Sequence, residues 1–479
     1  MNFMNLLRLI LFLFIPGLLG WGILRPLIGQ KEKSDFSKLM ILSFGLGTGI
    51  LTFLMFFWGF LNLPIKYFII FISILAGLIL IFYPIRSRPA RGTTTAALGR
   101  PASNGVNLFL NKRWKMPKIK MRRLNLNWLE VILILIILFQ VFYVFSTSMM
   151  RPIINFDAVA NYGLKAKMIF YENKNFFNLD SNVFLGGDSH INYPLHVPLL
   201  MAWIYFGMGQ VNDVLVNIIF AFYFLALIGF VYLSLKEEIS RQNSLIFTMF
   251  LSTLPLLVYH GFNAYCDLPL AFYFTVAAIS LFKYFKNKNK TDLIMAGIFA
   301  GLITWIKNEG LILVGILLIV FTIYLILEKI TKSKIKSFLL FIFCFLIFFL
   351  PWFIFKRIFG FGYSNLSPDA VFLNGFHPEI FSKLLEQLFI FHSFHIWPGI
   401  FLIILILNWR RVFGKPNIYL FLIIFGALAG FLFVYLFTSA YQFVVDSTAS
   451  SRNLLIIMPL TVFLAGLLYK GGKEEENLL

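Results

Sequence analysis

The sequence predicts an all-α integral membrane protein, with about 13 transmembrane helices and interfacial helices gathered on one face. Of its 479 residues 59% are hydrophobic and only 13% are charged. Apolar runs recur at lengths close to the roughly 20 residues that cross a hydrocarbon core. They are continuous rather than alternating, which selects helices over a β-barrel. No polar stretch is long enough to fold as a separate soluble domain, so a soluble globular architecture is excluded.

The first apolar run, 4–24, lacks a basic leader and a small-residue cleavage site and reads as a retained helix. Runs at 39–61 and 67–85 complete an N-terminal three-helix segment, 1–85. The stretch 86–127 carries Arg86, Arg88, Arg91, Arg100, Lys112, Arg113, Lys115, Lys118, Lys120, Arg122 and Arg123 without one acidic residue. Positive charge beside a span marks the cytoplasmic side, so this loop is placed there, facing anionic lipid. Further runs at 128–148, 212–234, 243–259, 268–283, 292–306, 309–327, 338–356, 387–407, 417–438 and 453–469 form a unit over 128–470, with a large outer loop at 149–210 and a cytoplasmic tail at 471–479. The excess of 41 Lys and Arg over 21 Asp and Glu is accounted for by this topology, and no nucleic-acid partner is implied. Cys266 and Cys344 provide neither a disulfide framework nor a metal quartet.

The apolar stretch from Pro194 to Met208 decides the orientation. If it crossed the membrane, the basic clusters Lys283 to Lys290, Lys329 to Lys336 and Arg410 to Lys415 would all fall outside. Its roughly 15 residues are short for a span, and as an interfacial helix on the outer surface it returns all three clusters to the cytoplasm. Asp157, His260, Asp267, Lys307, Glu309, His377 and Arg452 then share one outer face. The spans are almost free of charge at their middles, where an ion-coupled carrier keeps ionisable groups.

On that face, Asp157, Asn161 and Lys165 follow i, i+4 spacing, which on an α-helix aligns carboxylate, amide and ammonium along one side. A solvated helix face is the plainer alternative. Asp267, in His260-Gly-Phe-Asn-Ala-Tyr-Cys-Asp-Leu-Pro-Leu270, stands at a span mouth as a helix cap, a functional carboxylate, or both. Lys307 and Glu309 lie in the tight turn Trp305-Ile-Lys-Asn-Glu-Gly310, where charge beside the bilayer calls for water, a partner or a ligand. Arg452, in Ser450-Ser-Arg-Asn453, suits either bidentate phosphate contacts or anchoring at the interface. Glu172, Asp180 and Asp188 have no ligand spacing, and His392 with His395 reads as aromatic packing rather than a metal pair.

Taken in order, these motifs resemble the GT-C membrane glycosyltransferases, the group that holds protein O-mannosyltransferases and lipid A aminoarabinose transferases. The resemblance covers roughly 128–470 and rests on Phe-Asp157-Ala-Val-Ala-Asn-Tyr-Gly-Leu-Lys-Ala-Lys, Tyr193-Pro-Leu, Tyr265-Cys-Asp-Leu-Pro-Leu, Trp305-Ile-Lys-Asn-Glu-Gly and the late Ser-Arg452. Ala158 stands where the protein mannosyltransferases have Glu, which points away from protein mannosylation, and the three leading spans also differ from those enzymes.

The resemblance implies an inverting transfer of a hexose or pentose from a polyprenyl-phosphate donor to a glycan, lipid or protein acceptor at the outer face of a bacterial plasma membrane. It implies Asp157 as catalytic base, with Lys165, Lys307 and Arg452 binding the donor phosphate. Asn161, Tyr193, His260, Asp267 and Glu309 would orient substrate. No organic cofactor is expected, and a divalent cation, if used, would fall to Asp157 and Asp267. The competing readings are a transporter or flippase and a glycan polymerase or ligase using diphosphate-linked lipids.

Overall fold

Side chains that are apolar around the whole circumference of a segment leave the backbone only one stable state in lipid, the helix, and the long apolar segments among the described residues follow that constraint. The computed structural model describes residues 3–28, 36–86, 125–173, 191–360, 375–390 and 393–469. Most of the basic loop at 86–127, the tail at 471–479, and Asp180, Asp188, His190 and His392 lie outside the described residues. The helices are α1 (Phe3–Ile28), α2 (Phe36–Trp58), α3 (Ile65–Arg86), α4 (Trp128–Met150), α5 (Leu164–Glu172), α6 (His196–Met208), α7 (Ile218–Lys236), α8 (Arg241–Ser252) and α9 (Pro255–Gly261). They continue as α10 (Asp267–Asn287), α11 (Lys290–Thr304), α12 (Gly310–Leu327), α13 (Lys332–Ile358), α14 (Ile380–Phe389), α15 (Trp397–Leu407), α16 (Asn417–Phe437) and α17 (Ser450–Leu468).

Nine helices among the described residues are long and apolar enough to cross a membrane, or ten if one bent pair counts as a span, against about thirteen expected. Of the four runs that drop out, α3 enters the count only as Ile65–Leu80, and the other three have local causes. The run at 243–259 divides into α8 and α9, bent by 72° where Pro255 removes a backbone donor. The run at 387–407 divides into α14 and α15, with His395 between them in the left-handed region at φ 51°. His395 Nε2 lies 2.7 Å from the Thr253 carbonyl at the end of α8, a structural contact and not a metal ligand. The run at 292–306 ends as a helix at Thr304, after 15 residues.

Charge sorts the two ends of the bundle. At one end Arg241 pairs with Glu130 (2.6 Å), which also closes a capping box with Asn127 at the start of α4. At the same end Glu237 receives Lys38 (2.5 Å) and Lys283, Glu238 receives Lys286 (2.5 Å), and Glu328 receives Lys415 (2.7 Å). Tracing each helix from this basic end delivers Asp157, Asp267, Lys307, Glu309 and Arg452 to the opposite end. The trace requires that α6 does not cross. At 13 residues α6 is about 20 Å long. It is the helix expected at the surface, yet 12 of its residues are buried, packed among α1, α2 and α5.

The lipid-facing shell and the core differ sharply. α10 is buried along its whole span window, whereas α4 leaves Leu135, Leu138, Phe139 and Phe142 exposed for lipid. α1 and α2 cross with their backbones in contact: a Cβ on Gly20 would lie 1.9 Å from the Ser43 carbonyl oxygen, and one on Gly47 1.6 Å from that of Pro16. α2 in turn reaches the core through a buried polar chain. Thr48 bonds the hydroxyls of Tyr223 (2.8 Å) and Tyr273 (2.9 Å); His196 bonds Tyr223 (2.9 Å) and Thr52 (2.8 Å). The Trp305 indole donates to Thr52 (3.1 Å), tying α2 to the turn that carries Lys307.

A neutral imidazole, one donor and one acceptor, satisfies both hydroxyls on His196. His196→Phe removes one hydrogen-bond partner from each of these buried hydroxyls, and thermal unfolding of the purified protein is expected to show a loss of about 1–3 kcal/mol. For sidedness, Lys286→Cys and Asp446→Cys are expected to react with a membrane-impermeant maleimide from opposite sides of a sealed vesicle; labelling from one side refutes the arrangement.

Candidate active site

The site is assembled at the start of the most buried helix. Asp267, the first residue of α10, is fully buried, and each of its oxygens is claimed by a cation. Arg452, at the start of α17, donates from Nε to Asp267 Oδ2 (2.8 Å) and from Nη1 to Asp157 Oδ2 (2.6 Å). Its guanidinium also lies over the Tyr265 ring, 4.4 Å from the centroid. Lys307 bridges Asp267 Oδ1 (3.1 Å) and Glu309 Oε1 (3.0 Å). Burial works against the Lys307 charge, but Asp267 and then Glu309 hold its ammonium well above the usual lysine range. Three carboxylates and two cations from four separate segments thus form one connected network.

Asp157 is presented by a π-helical turn, Asp157–Gly163, ahead of α5. Neighbouring contacts fix the entry to this turn: Tyr259 donates to Asn155 Oδ1 (2.7 Å), and Asn155 donates to Asn263 Oδ1 (2.7 Å). The wider turn breaks the α-helical register on which the Asp157, Asn161, Lys165 stripe was expected. Asp157 and Asn161 reach the cavity, while Lys165 is buried away from its lining, and burial pushes its amine down to about 7.

Above the network lies a cavity of about 230 Å³. Asp157, Asn161, Tyr193, Lys307, Glu309 and Arg452, each singled out from the sequence, line it. Asp267 lies beneath, holding the two cations, and His260 is behind it, with Nδ1 4.0 Å from Asp267 Oδ2. The Glu309 charge, and then burial, push the Tyr193 phenol up, so it is protonated at neutral pH. His377 lies outside the lining, stacked on Tyr441 with ring centroids 3.6 Å apart and 2.8 Å from Glu379. As for a metal, the Arg452 guanidinium binds both Asp157 and Asp267, and no three His, Cys, Asp or Glu side chains cluster among the described residues.

Other lining residues were not singled out from the sequence. Asn308 and Asn453 each adjoin a residue that was: Asn308 receives Lys356 Nζ (3.3 Å), and Asn453 donates to the Tyr435 hydroxyl (2.6 Å). Tyr435 and Phe443 sit in or beside apolar runs and carry no local signal. Two acceptors in this lining, Glu309 Oε2 and Asn453 Oδ1, are buried without a hydrogen-bond donor among the described residues.

With this geometry in place, comparison with known proteins bears on the fold. Residues 194–355 match the family described as dolichyl-phosphate-mannose-protein mannosyltransferase. No curated protein sequence matches the chain. The crystal structure of ArnT from Cupriavidus metallidurans bound to undecaprenyl phosphate superposes with a TM-score of 0.53 at 14% identity, over 71% of this chain and 60% of that one. The apo form of the same protein gives 0.52, also at 14% identity, over 72% and 61%. The fold is GT-C-like. The chain thus spans about 60% of the length of the ArnT structure it matches.

Asp267→Asn removes charge from a buried group that holds two cations, and a loss of roughly 3–5 kcal/mol is expected. Asp157, whose side chain is 27% exposed, is expected to tolerate the same change with a loss below about 1 kcal/mol. Thermal unfolding of the two variants side by side checks the order.

Proposed function

We propose that the chain transfers a sugar from a polyprenyl-phosphate donor to a hydroxyl acceptor on a glycan, lipid or protein, with inversion at the anomeric carbon. The observation that carries this reading is the Arg452 guanidinium bridging Asp157 and Asp267 at the floor of a cavity whose lining holds unpaired acceptors. A membrane cavity of this kind can take a substrate whose tail stays in lipid and whose polar head needs cations and hydrogen-bond acceptors. The match of residues 194–355 to the mannosyltransferase family, and the fold shared with an aminoarabinose transferase crystallised with undecaprenyl phosphate, support the donor class.

In the reaction the acceptor oxygen attacks the anomeric carbon and the bond from that carbon to the phosphate oxygen breaks. Asp157 accepts the acceptor's proton. The departing polyprenyl phosphate keeps the bond's electron pair, and Arg452 and Lys307 receive its charge. Before substrate arrives, Arg452 donates to Asp157 Oδ2 at 2.6 Å, which occupies that oxygen of the carboxylate. The donor phosphate competes for the same guanidinium and frees Asp157 as it binds, so the base becomes available once the donor is in place. Glu309 Oε2 and Asn453 Oδ1 accept hydroxyl donors from a sugar, and Tyr193 and Asn161 orient it. Lys165 is not assigned to the phosphate, and Asp267 and His260 act by holding the cations.

The active side is the one opposite the basic clusters, which by the positive-inside rule is the outer face of a plasma membrane. No step in this scheme calls for a metal ion, since Arg452 supplies the positive charge between the two aspartates.

Asp157→Asn in liposomes is expected to lower transfer from a polyprenyl-monophosphate sugar by about 10²–10⁴-fold while retaining donor binding. A wild-type rate in this variant refutes the base. EDTA is expected to leave the rate unchanged, and a diphosphate-linked donor is expected not to be used; turnover with the diphosphate donor alone would favour a polymerase or ligase.

A further inference from the structure

A second polar cavity, of about 480 Å³, opens at the basic end of the bundle, far from the residues above. α10, α11 and α13 contribute to its walls, with Tyr324 of α12. Four lysines line it, Lys288, Lys290, Lys334 and Lys336, together with the hydroxyl residues Thr331, Ser333 and Ser337, and no carboxylate is among the lining residues. Positive charge at this end satisfies topology wherever it sits, but two of these ammonium groups are held in fixed positions. Lys288 donates to the Phe285 carbonyl (2.6 Å) and the Tyr324 hydroxyl (2.7 Å) and lies 4.4 Å from the Tyr324 ring centroid. Lys334 donates to the Glu328 and Lys329 carbonyls and lies 5.8 Å from the same ring. Neither takes a carboxylate in these contacts. The nearby acid, Glu328, is engaged by Lys415 (2.7 Å) and by the Tyr419 hydroxyl (3.2 Å).

The apolar wall of the cavity identifies its occupant. Leu293 and Leu340 are its apolar lining residues, and past Leu340 an exposed stripe continues along α13 through Phe343, Ile347, Leu350, Ile354 and Ile358. Spacings of three and four residues keep that stripe on one lipid-facing side. An anionic head at the lysines thus has a continuous path for an acyl chain beneath it.

We propose that this cavity binds the phosphate of an anionic membrane lipid, with the four lysines on the headgroup and its chain along α13. The site is independent of the transfer reaction and does not depend on that reading. It recognises phosphate through charge and hydroxyl donors, and it separates a phosphodiester lipid of net negative charge from a zwitterionic one because no carboxylate in its lining pairs a choline.

The test is native mass spectrometry of the full chain in detergent, titrated with palmitoyl-oleoyl phosphatidylglycerol or palmitoyl-oleoyl phosphatidylcholine. Retention of phosphatidylglycerol is expected to fall about tenfold in Lys288→Gln/Lys334→Gln and about threefold in Lys290→Gln/Lys336→Gln. It is expected to change less than twofold in Lys236→Gln/Arg410→Gln, a charge-matched pair at the same end outside the cavity. The second cavity pair keeps the fixed ammonium groups and serves if the first does not fold. Equal loss in the outside pair, equal retention of phosphatidylcholine, or displacement of the bound lipid by millimolar inorganic phosphate would overturn the proposal.

Discussion

The fold converges on one buried carboxylate. Asp267 opens the helix with the greatest burial in the bundle, and an ionised group there is stable only while both oxygens are matched by positive charge. Arg452 and Lys307 provide the match, and each has a second acid to hold, Asp157 or Glu309. One ion at the head of α10 thereby sets the relative positions of the loop after α4, the turn between α11 and α12, and the start of α17. Removing the central member costs more than removing a rim member, because the rim acids retain access to water and the central one has none.

The same economy explains how a site at the end of a hydrocarbon-soluble bundle can be strongly charged and still wait for substrate. The five ionised groups pair with one another in the resting protein, and on the proposed function an incoming phosphate would exchange one anion for another at Arg452. The guanidinium already faces the cavity, where such an exchange would take place. The unpaired Glu309 and Asn453 oxygens give the complementary preference for a partner rich in hydroxyl groups.

Much of this was legible in the sequence because membrane proteins penalise stray charge. Asp157, Asp267, Lys307, Glu309 and Arg452 stand out against apolar surroundings, and helix parity alone placed them together. What escaped depended on tertiary context. The π-helical turn at Asp157 follows Asn155, which Tyr259 and Asn263 hold from a distant connection, so the i, i+4 stripe did not carry Lys165 to the cavity. Pro255 did signal the break between α8 and α9, but continuous apolarity on both sides concealed it. Tyr435 looks like any aromatic in a lipid-exposed helix until the fold turns its hydroxyl onto Asn453. The burial of α6 was invisible for a similar reason: an apolar helix reads the same whether lipid or protein covers it.

The polar chain from Thr48 and Thr52 through His196 to Tyr223 and Tyr273 decides how far the protein can be divided. The family-matched region begins at 194 and contains the histidine and both tyrosines, but not the threonines. A shortened version starting at residue 128 would retain the network of acids and bases and lose α2. It would leave an imidazole and two phenols facing hydrocarbon, and Trp305 without the hydroxyl that holds it two residues before Lys307. The leading helices are therefore a structural wall of the body that carries the charged network, and a chain cut at residue 128 would not be self-sufficient.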